Sequence, residues 1–533
     1  MPRSRLKLLR VIAALVVFAG LTAALVDFRS LVPAALGHWL ASVQLVPSLA
    51  ALVTGASLSL AGIIILVATL AVGRVYCSAI CPLGILQDVI ARVAAWTRRK
   101  GTGFMPYAPP LTWLRQLFLW GTVAGVAAGW SGLTLALVDP YSNFGRIASD
   151  IFRPLVTLAN NAVVGLANAV GISSLYRVEP SWGGAAALHQ PALLLLLLIV
   201  LVALRGRLFC NTLCPVGTFL GLLAQRGAFR LTIHPADCSK CGDCLYVCKA
   251  QCIDLRVQRI DFSRCVACYN CIDVCTKQGI GYRFAWARPS PTRPAATTPD
   301  WQRRAFITGT AVAMTAFSGA GLLRLAQVQK LRTNRAGGKE GDQNEPELSH
   351  AICPPGAVSI DRFLDRCTAC HLCISACPTH VLQPAFFEYG FAGLMMPRLD
   401  FTKSFCTYTC RTCEEVCPDG AISLLELADK QVTRIGEAQL DEDKCIVKTK
   451  GTDCAACSEQ CPTQAVSTVP YGSNLRLPRL NRDLCIGCGA CEYACPVQPE
   501  KAIIVAGLRR HGRAQKPPDK KAVAPTPAGD FPF

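Results

Sequence analysis

The chain has 533 residues, of which 52% are hydrophobic, and it carries a formal net charge of +19. This composition is too apolar for an ordinary soluble protein, and it predicts that part of the chain lies in a membrane. The basic residues stand at the ends of apolar segments and in linkers, without interleaved aromatic residues, so we expect no nucleic-acid partner.

Residues 1–207 contain four apolar segments that are long enough to cross a bilayer, which takes about 20 residues. They are Val11–Val26, Leu45–Val72, Leu117–Val138 and Gly183–Leu204. The first could be a cleaved signal peptide, but the segments behind it favour a membrane helix. Basic residues in Arg3–Arg10, Arg92–Lys100 and Arg205–Arg207 mark one face, which the positive-inside rule makes cytoplasmic.

A repeated motif follows the second and fourth apolar segments. The stretch from residue 73 to 84 reads GRVYCSAICPLG, and that from 206 to 217 reads GRLFCNTLCPVG. The repeat predicts two related hairpins. If these bring the copies together, Cys77, Cys81, Cys210 and Cys214 supply four thiolates, enough for an additional cluster or a redox-active thiol pair. The alternative is two structural pairs that never meet.

Residues 208–288 carry two cysteine runs with the C-x2-C-x2-C-x3-C spacing of bacterial ferredoxins, which places three thiolates around one iron-sulfur cube. The runs are Cys238, Cys241, Cys244 and Cys248, and then Cys265, Cys268, Cys271 and Cys275. In paired ferredoxins each run lends its last cysteine to the other cluster. We therefore assign Cys275 to the first cluster and Cys248 to the second. A zinc ribbon would use two separated pairs instead.

The composition changes in residues 289–332, a linker that leads into a candidate export signal. Arg303 and Arg304 stand directly before the weakly apolar run Ala305–Leu323. This pattern is typical of a twin-arginine signal, which exports folded, cofactor-loaded domains. The alternative is an ordinary fifth, connecting span with two arginines before it by chance. Both interpretations place the remainder of the chain outside.

A polar linker, 333–349, precedes a second cysteine-rich region, 350–510, and the tail 511–533 is expected to be disordered. The region contains four further runs, Cys367, Cys370, Cys373 and Cys377; Cys406, Cys410, Cys413 and Cys417; Cys445, Cys454, Cys457 and Cys461; and Cys485, Cys488, Cys491 and Cys495. They imply four clusters, although spacing does not decide which run lends its last thiolate to which. Only Cys252 and Cys353 remain without a place in any run or motif.

One stretch also matches a different cofactor site. Cys367 to His371 has the form of a c-type haem attachment motif. We reject a haem there because Cys367 and Cys370 are already the first two members of a complete cluster run.

The order of these features resembles two families of membrane electron-transfer proteins. Residues Met1–Arg283 resemble NapH, a four-span membrane polyferredoxin, through the repeated Cys-x3-Cys-Pro motif and the dicluster runs. The remainder resembles NapG and MauM through Arg303-Arg304, the stretch from Pro354 to Ala357 and the four later runs. The resemblance implies a natural fusion that works as a quinol dehydrogenase component. Its expected partners are the membrane quinone pool and a periplasmic oxidoreductase or cytochrome.

The sequence thus predicts a multi-domain protein: an α-helical membrane bundle of four spans plus a fifth connecting span, with α+β bacterial ferredoxin-like dicluster domains. It predicts six [4Fe-4S] clusters, or seven if the repeated motif holds one. We expect the bacterial inner membrane, with the first ferredoxin cytoplasmic and the C-terminal one periplasmic. No catalytic residue is assigned, because cluster electron transfer needs none. The alternative function is an accessory or maturation protein that reduces and activates a partner metalloenzyme.

We predict that replacing Arg303 and Arg304 together with lysine leaves the first four apolar segments inserted but keeps region 350–510 inside, because twin-arginine export reads the guanidinium pair. Protease treatment of spheroplasts measures this. Replacing Arg324 and Arg332 with lysine is the charge-matched control and should change nothing. Continued export of a cluster-loaded region by the first variant would show that the segment is an ordinary span.

Overall fold

The computed structural model describes residues 3–29, 31–53, 60–97, 107–171, 173, 176–180, 184–285, 348–349, 351–472 and 474–516. Its contacts divide the chain into two units. The first comprises Met1–Glu345, Asp361–Pro397 and Thr412–Ser423, and the second comprises Pro346–Ile360, Arg398–Arg411 and Leu424–Phe533. The expected domain 350–510 is therefore divided between the units. Arg303, Arg304 and the expected fifth span lie outside the described residues.

The first unit begins with two similar series of helices, here called copies, and each carries the repeated motif near its end. The second copy has an additional π-helical turn and one additional helix. The first copy is α1 Arg3–Val26, α2 Ala34–Ser42, α3 Leu45–Val53, α4 Leu60–Val72, α5 Tyr76–Ala79 and α6 Pro82–Thr97. The second copy is α7 Thr112–Ala127, α8 Ser131–Val138, α9 Pro140–Ile147, a π-helical turn at Ala148–Phe152, α10 Arg153–Ala169, α11 Gly184–Arg205, α12 Leu208–Thr212 and α13 Pro215–Ala224. In each copy the motif's proline starts the last helix, where a missing N–H costs nothing.

A short helix folds back on the long helix at the start of each copy. Gly20 of α1 lies against Leu40 of α2, and Gly125 of α7 lies against the side chain of Thr134 in α8. The expected third span, Leu117–Val138, is consequently not one continuous helix. Gly129, with φ +91°, ends α7 because only glycine adopts this left-handed conformation at low cost.

The expected second span, Leu45–Val72, is also divided. The first residue of this segment lies close to its end. The backbone N–H of Leu45 is 3.3 Å from Tyr76 Oη, and Tyr76 stands just beyond the end of α4. The start of α3 therefore lies beside the end of α4, and the two helices run antiparallel. Hydropathy misses such a reversal because both arms of the hairpin are equally apolar.

Two described helices, α1 from Arg5 and α11 from Leu188, are long and apolar enough to cross a membrane. Only 28% of the most apolar 18-residue stretch of α1, and 17% of that of α11, is buried. Large apolar side chains point away from the protein, with Leu15 61% and Leu193 69% exposed. A helix in the core of a soluble protein would bury these apolar side chains. Their exposure indicates association with a membrane.

The first ferredoxin follows α13. Its outer strands, β1 Phe229–Ile233 and β4 Ile280–Phe284, pair antiparallel. Between them lie α14 Asp243–Tyr246, the small hairpin of β2 Ile253–Asp254 and β3 Arg259–Ile260, and α15 Asn270–Val274. This is the α+β dicluster fold that the two cysteine runs predict. The start of α1 contacts it through a 2.6 Å ion pair between Lys7 and Asp273.

The remaining elements form short helices and strands around the later cysteine runs. They are β5 Leu348–Ser349, α16 Ile360–Arg366, α17 Leu372–Ala376, β6 Leu382–Pro384, a 3-10 turn at Phe391–Gly393, β7 Pro397–Leu399, α18 Thr412–Val416, α19 Leu427–Lys430, β8 Thr433–Leu440, a 3-10 turn at Glu442–Lys444, α20 Ile446–Lys450, α21 Ala456–Glu459, β9 Val466–Tyr471, β10 Leu475–Leu480, a 3-10 turn at Arg482–Leu484, α22 Ala490–Ala494 and β11 Ile503–Arg513.

The second unit repeats the dicluster fold. Its outer strands β8 and β11 pair antiparallel, β5 adds a third strand to β11, and β9 and β10 form the inner hairpin. Ala438, Val447 and Ile503 belong to its buried core. Strand β11 continues to Arg513, so the expected disordered tail does not begin at residue 511.

Two glycines let membrane-part helices approach the Cys367–Cys377 run closely. A Cβ on Gly132 of α8 would meet the carbonyl oxygens of Leu364 and Cys367, and a Cβ on Gly145 of α9 would meet that of Cys370. Backbone therefore packs on backbone at this junction, which leaves no room for a side chain.

We predict that Gly145→Ala destabilises the first unit by about 1–3 kcal/mol, because the new methyl group must displace the Cys370 carbonyl. Thermal unfolding in detergent, with limited proteolysis of the 361–397 segment, measures this. Gly121→Ala in α7 is the matched control, since nothing lies within 4 Å of its Cβ position. Equal stability of both variants would mean that the close approach is not needed.

Candidate iron-sulfur sites

The structure brings both copies of the repeated motif together. Cys77, Cys81, Cys210 and Cys214 are all buried. Burial raises the pKa of Cys81, and the neighbouring thiols of Cys210, Cys77 and Cys214 raise it further. The four sulfurs are thus close enough to influence each other's charge. The two motifs form one four-thiol site, which we call the paired-motif site.

Two arginines cross between the copies. Arg74 donates from Nη2 to the carbonyl of Cys210 at 3.3 Å, and Arg207 donates from Nη1 to the carbonyl of Cys77 at 2.5 Å. Both guanidinium groups are buried. A Cβ on Gly84 or Gly217 would strike the same carbonyls and lie against the same guanidinium groups. The sequence analysis missed these arginines and glycines as site residues, although their place in both copies was a readable signal.

Each sulfur of the paired-motif site accepts one hydrogen bond from nitrogen. Arg74 Nη2 lies 3.7 Å from Cys77 Sγ, and Gln87 Nε2 lies 3.2 Å from Cys210 Sγ. The backbone N–H of Gly217 donates to Cys214 at 3.3 Å, and that of Gly84 donates to Cys81. These last two donors belong to the first turns of α13 and α6, whose N-termini favour negative charge. These hydrogen bonds lower the pKa of the thiols, but burial outweighs them, so the pKa values of Cys81, Cys210 and Cys214 stay raised. A bound cation is needed to hold them as thiolates.

One carboxylate balances the cations around the paired-motif site. Asp88 pairs with Arg207 at 2.7 Å, with Lys249 at 2.8 Å and with Arg10 at 3.6 Å. Burial raises the pKa of Asp88, but Arg207 and Lys249 outweigh it and hold the pKa well below its usual value. Because Arg74 adds a further cation, the local charge is positive, which suits an anionic cluster with four thiolate ligands.

The paired-motif site touches the first ferredoxin next to its cluster ligands. The backbone N–H of Arg207 donates to the carbonyl of Lys249 at 3.0 Å, and Arg74 Nη1 donates to that of Ser263 at 3.0 Å. Lys249 follows Cys248, and Ser263 precedes Cys265 by two residues. The arginines that join the two motifs thus also join them to the second cysteine set of the ferredoxin.

The cysteines of the first ferredoxin line two pockets in the exchanged arrangement. One pocket is lined by Cys238, Cys241, Cys244 and Cys275, and the other by Cys248, Cys252, Cys265, Cys268 and Cys271. The fourth member of each expected set comes from the other run, as expected of a paired ferredoxin.

Three further cysteine sets are visible among the later runs. Burial raises the pKa of Cys373, with contributions from Cys370, Cys367 and Cys417. Burial raises that of Cys457 to about 12, with contributions from Cys454, Cys445 and Cys495. Burial likewise raises that of Cys491, with contributions from Cys488, Cys485 and Cys461. In each set the fourth thiol belongs to another run, which spacing had left open. The four cysteines that remain are Cys377, Cys406, Cys410 and Cys413.

The surroundings of the Cys367–Cys377 run leave no ligand for a haem. His371 is buried, and its Nε2 lies 2.8 Å from the carbonyl of Met395, to which it must donate. Its Nδ1 lies 3.2 Å from both Ser149 Oγ and Asp150 Oδ1. Both ring nitrogens therefore have protein partners.

These thiol sets fit clusters better than single ions. Among the described residues, no group of three or more His, Cys, Asp or Glu side chains converges on one metal ion. A cube needs four separated thiolates around its own body, as in the two cysteine-lined pockets. Buried thiols with raised pKa values stay deprotonated only when a cation binds them. The cluster irons supply that charge.

Cys252, which the sequence left without a role, lies on the wall of the second pocket. It is 2% exposed, and its sulfur is 3.7 Å from Cys248 Sγ. It also forms a sulfur hydrogen bond with Cys265. With Cys248 and Cys265 binding iron as thiolates, Cys252 is placed to donate its S–H to them, and such bonds tune the potential of a cluster.

Comparison with known families identifies iron-sulfur domains in both halves of the chain. A family described as a 4Fe-4S binding domain matches residues 53–101 and 189–234. Each match contains one copy of the repeated motif. Two families described as 4Fe-4S dicluster domains match residues 366–422, and residues 405–465 and 450–499. The chain therefore binds [4Fe-4S] clusters.

Several curated proteins resemble part of the chain. The ferredoxin-type protein NapF of Escherichia coli K12 is 31% identical over 165 residues, which are 31% of this chain and 90% of NapF. The methylamine utilization ferredoxin-type protein MauM of Methylorubrum extorquens is 30% identical over 176 residues, 31% of this chain and 78% of MauM. The ferredoxin-type protein NapG of E. coli K12 is 30% identical over 170 residues, 30% of this chain and 71% of NapG. No solved structure matches.

We predict that Cys252→Ala lowers the reduction potential of the cluster held by Cys248, Cys265, Cys268 and Cys271 by on the order of tens of millivolts, because it removes a hydrogen bond to ligand sulfur. A redox titration followed by electron paramagnetic resonance measures this. Cys353→Ala, at a buried cysteine of the second unit, is the control. An unchanged potential would make Cys252 a bystander, and loss of the cluster would make it a ligand.

Proposed function

The chain belongs to the family of NapF-, NapG- and MauM-type ferredoxin proteins, and from that premise we propose that it is a membrane-bound electron-transfer protein. It passes electrons between the quinone pool, or a cytoplasmic donor, and a periplasmic oxidoreductase. The part beyond family membership rests on the arrangement of the sites in the first unit.

The observation that carries the proposal is the order of three cysteine sites along α1. Lys7 pairs with Asp273 of the first ferredoxin, and Arg10 donates to the carbonyl of Ser78, inside the motif, at 3.3 Å. Near the other end, Ala24 shares a pocket with Leu372, inside the Cys367–Cys377 run. At about 1.5 Å per residue, Lys7 and Ala24 are about 26 Å apart along the helix, which is close to the thickness of a bilayer core.

This order supports a relay across the membrane. A bilayer core of about 30 Å is too thick for one efficient electron hop, so a relay needs a site at or within each surface. The ferredoxin at one end of α1, the paired-motif site and the Cys367 run at the other end provide such a series. Clusters supply one-electron transfer when bound, while Arg74, Arg207 and Gln87 orient the ligands and set their electrostatic surroundings.

The proposed topology has four crossing helices, α1, α4, α7 and α11. The short helices between them, α2–α3 and α8–α9, fold back within each half. Lys7 and Arg10, together with the basic motif residues, put the first ferredoxin on the cytoplasmic side of the bacterial inner membrane. The Cys367 run, at the opposite end of α1, is then periplasmic, whether its export uses the twin-arginine signal or an ordinary fifth span.

The N-terminal half is proposed to be a NapH-type part. It is fused to a NapG/MauM-type part, which forms the remainder of the chain. In support, the 4Fe-4S family match includes both copies of the repeated motif. Twenty-four cysteines are assigned to six clusters, and the paired-motif site holds the seventh. Its support is that the four buried thiols are near enough to influence each other's charge and that each sulfur has its own N–H donor.

We predict that Cys81→Ser or Cys214→Ser abolishes sustained electron delivery to the later clusters and removes about four irons per chain, while the other clusters stay intact, because each variant removes a thiolate of the paired-motif site. Iron analysis, electron paramagnetic resonance and quinol-driven reduction of the purified protein measure this. Ser78→Ala, in the same motif but without a sulfur, is the control.

Two results would contradict the proposal. Transfer at the parental rate with unchanged iron would mean that the motif cysteines are structural. Reduction that stops after one equivalent in the parental protein, without steady turnover, would favour an accessory protein that activates a partner metalloenzyme.

A further inference from the structure

A large cavity opens in the first unit between membrane helices and α16. Its volume is about 610 Å³, within the usual range for sites that bind small organic ligands. Leucine and valine side chains of α3, α7 and α8, with residues at the start of α13, form its walls. Arg362, Asp365 and Arg366 lie on one face of α16 and give the cavity a polar wall, to which Asp139 adds a further carboxylate. A ligand that fits has one polar end and a long apolar body.

The cavity lies between two of the cysteine sites. Pro215, on one wall, directly follows Cys214 of the paired-motif site. Arg366, on the polar wall, directly precedes Cys367. A molecule in the cavity therefore contacts residues that are next in the chain to a cysteine of each site. A structural lipid would gain nothing from lying beside two cysteine sites, whereas a diffusible electron carrier must lie close to them.

The helices around the cavity also face the apolar surroundings of the protein. Leu117 of α7 and Leu137 of α8 are 58% and 50% exposed, while Leu119 and Leu135 on the same helices line the cavity. A ligand dissolved in the bilayer can therefore reach the cavity between helices. An isoprenoid tail matches the leucine and valine walls, and a quinone ring with its oxygens matches the arginine and aspartate wall.

We propose that this cavity binds the head group of a membrane quinol, a location that rests on the proposed function. Oxidation of one quinol to quinone releases two electrons and two protons. Clusters held at the two flanking sites would each accept one electron, so the electrons balance. The carboxylate of Asp365 accepts protons at the polar wall and passes them to water. Arg366, in the same lining, favours the negative charge that develops on the ring oxygens.

The test is labelling of the full-length, cluster-loaded protein in nanodiscs with a photoreactive short-tail quinone. In the parental protein, adducts should fall on α7, α8 or α16, and excess unlabelled quinone should prevent them. Leu135→Trp, which fills the cavity, should reduce labelling about tenfold or more, since bulk blocks the ligand's place. Leu137→Trp, two residues away and on the opposite, exposed face of the same helix, is the matched control and should stay within about twofold.

Iron content and paramagnetic spectra show whether each variant is folded, and Val123→Trp on the opposite wall replaces Leu135→Trp if that variant is not. Equal labelling of both α8 variants, adducts elsewhere, or a bound phospholipid that quinone does not displace would overturn the proposal. Its failure is separate from failure of the proposed function. If Cys81→Ser stops transfer while the cavity stays unlabelled, the relay stands and quinol binds elsewhere.

Discussion

The exchange of two buried arginines between the motif copies is the interaction on which the N-terminal part of the first unit depends. Arg74 binds the carbonyl of Cys210, and Arg207 binds that of Cys77. A buried guanidinium that loses its partners costs roughly 3–5 kcal/mol, so neither half can present its motif in this way without the other. The same geometry explains why glycine stands at positions 84 and 217, where a side chain would occupy the place of the carbonyl.

The electrostatics of this centre follow from the same groups. Arginine, glutamine and two helix N-termini direct positive charge at four sulfurs, and Asp88 neutralises only part of it. In a buried, low-dielectric position these contacts act strongly. They offset part of the burial that raises the pKa of Cys210 and Cys214, and they would raise the reduction potential of a cluster bound there, because the reduced form carries more negative charge. Function and stability thus draw on one set of side chains.

Contacts of the centre extend in two directions. Toward the N-terminus of α1, Arg207 and Arg74 hold backbone carbonyls of the first ferredoxin beside Cys248 and Cys265. Toward the C-terminus of α1, Gly132 of α8 and Gly145 of α9 leave room for the backbone of the Cys367–Cys377 run. The long helix α1 keeps these neighbours in a fixed order. Such an arrangement suits one-electron carriers, whose transfer depends on the separation of sites.

Local spacing was enough to predict the iron-sulfur domains, because a short loop wraps three cysteines around one cube whatever the rest of the chain does. Composition predicted a membrane-embedded part, which stays a prediction. Tertiary structure alone decided that Cys417, Cys461 and Cys495 complete sets of other runs, because a fourth thiol arrives from a distant segment. It also revealed the place of Cys252 against Cys248, and the reversal that divides Leu45–Val72. Hydropathy shows how apolar a segment is but not where the chain changes direction. Cysteine spacing shows which loop can hold a cluster but not which distant segment supplies the fourth thiol.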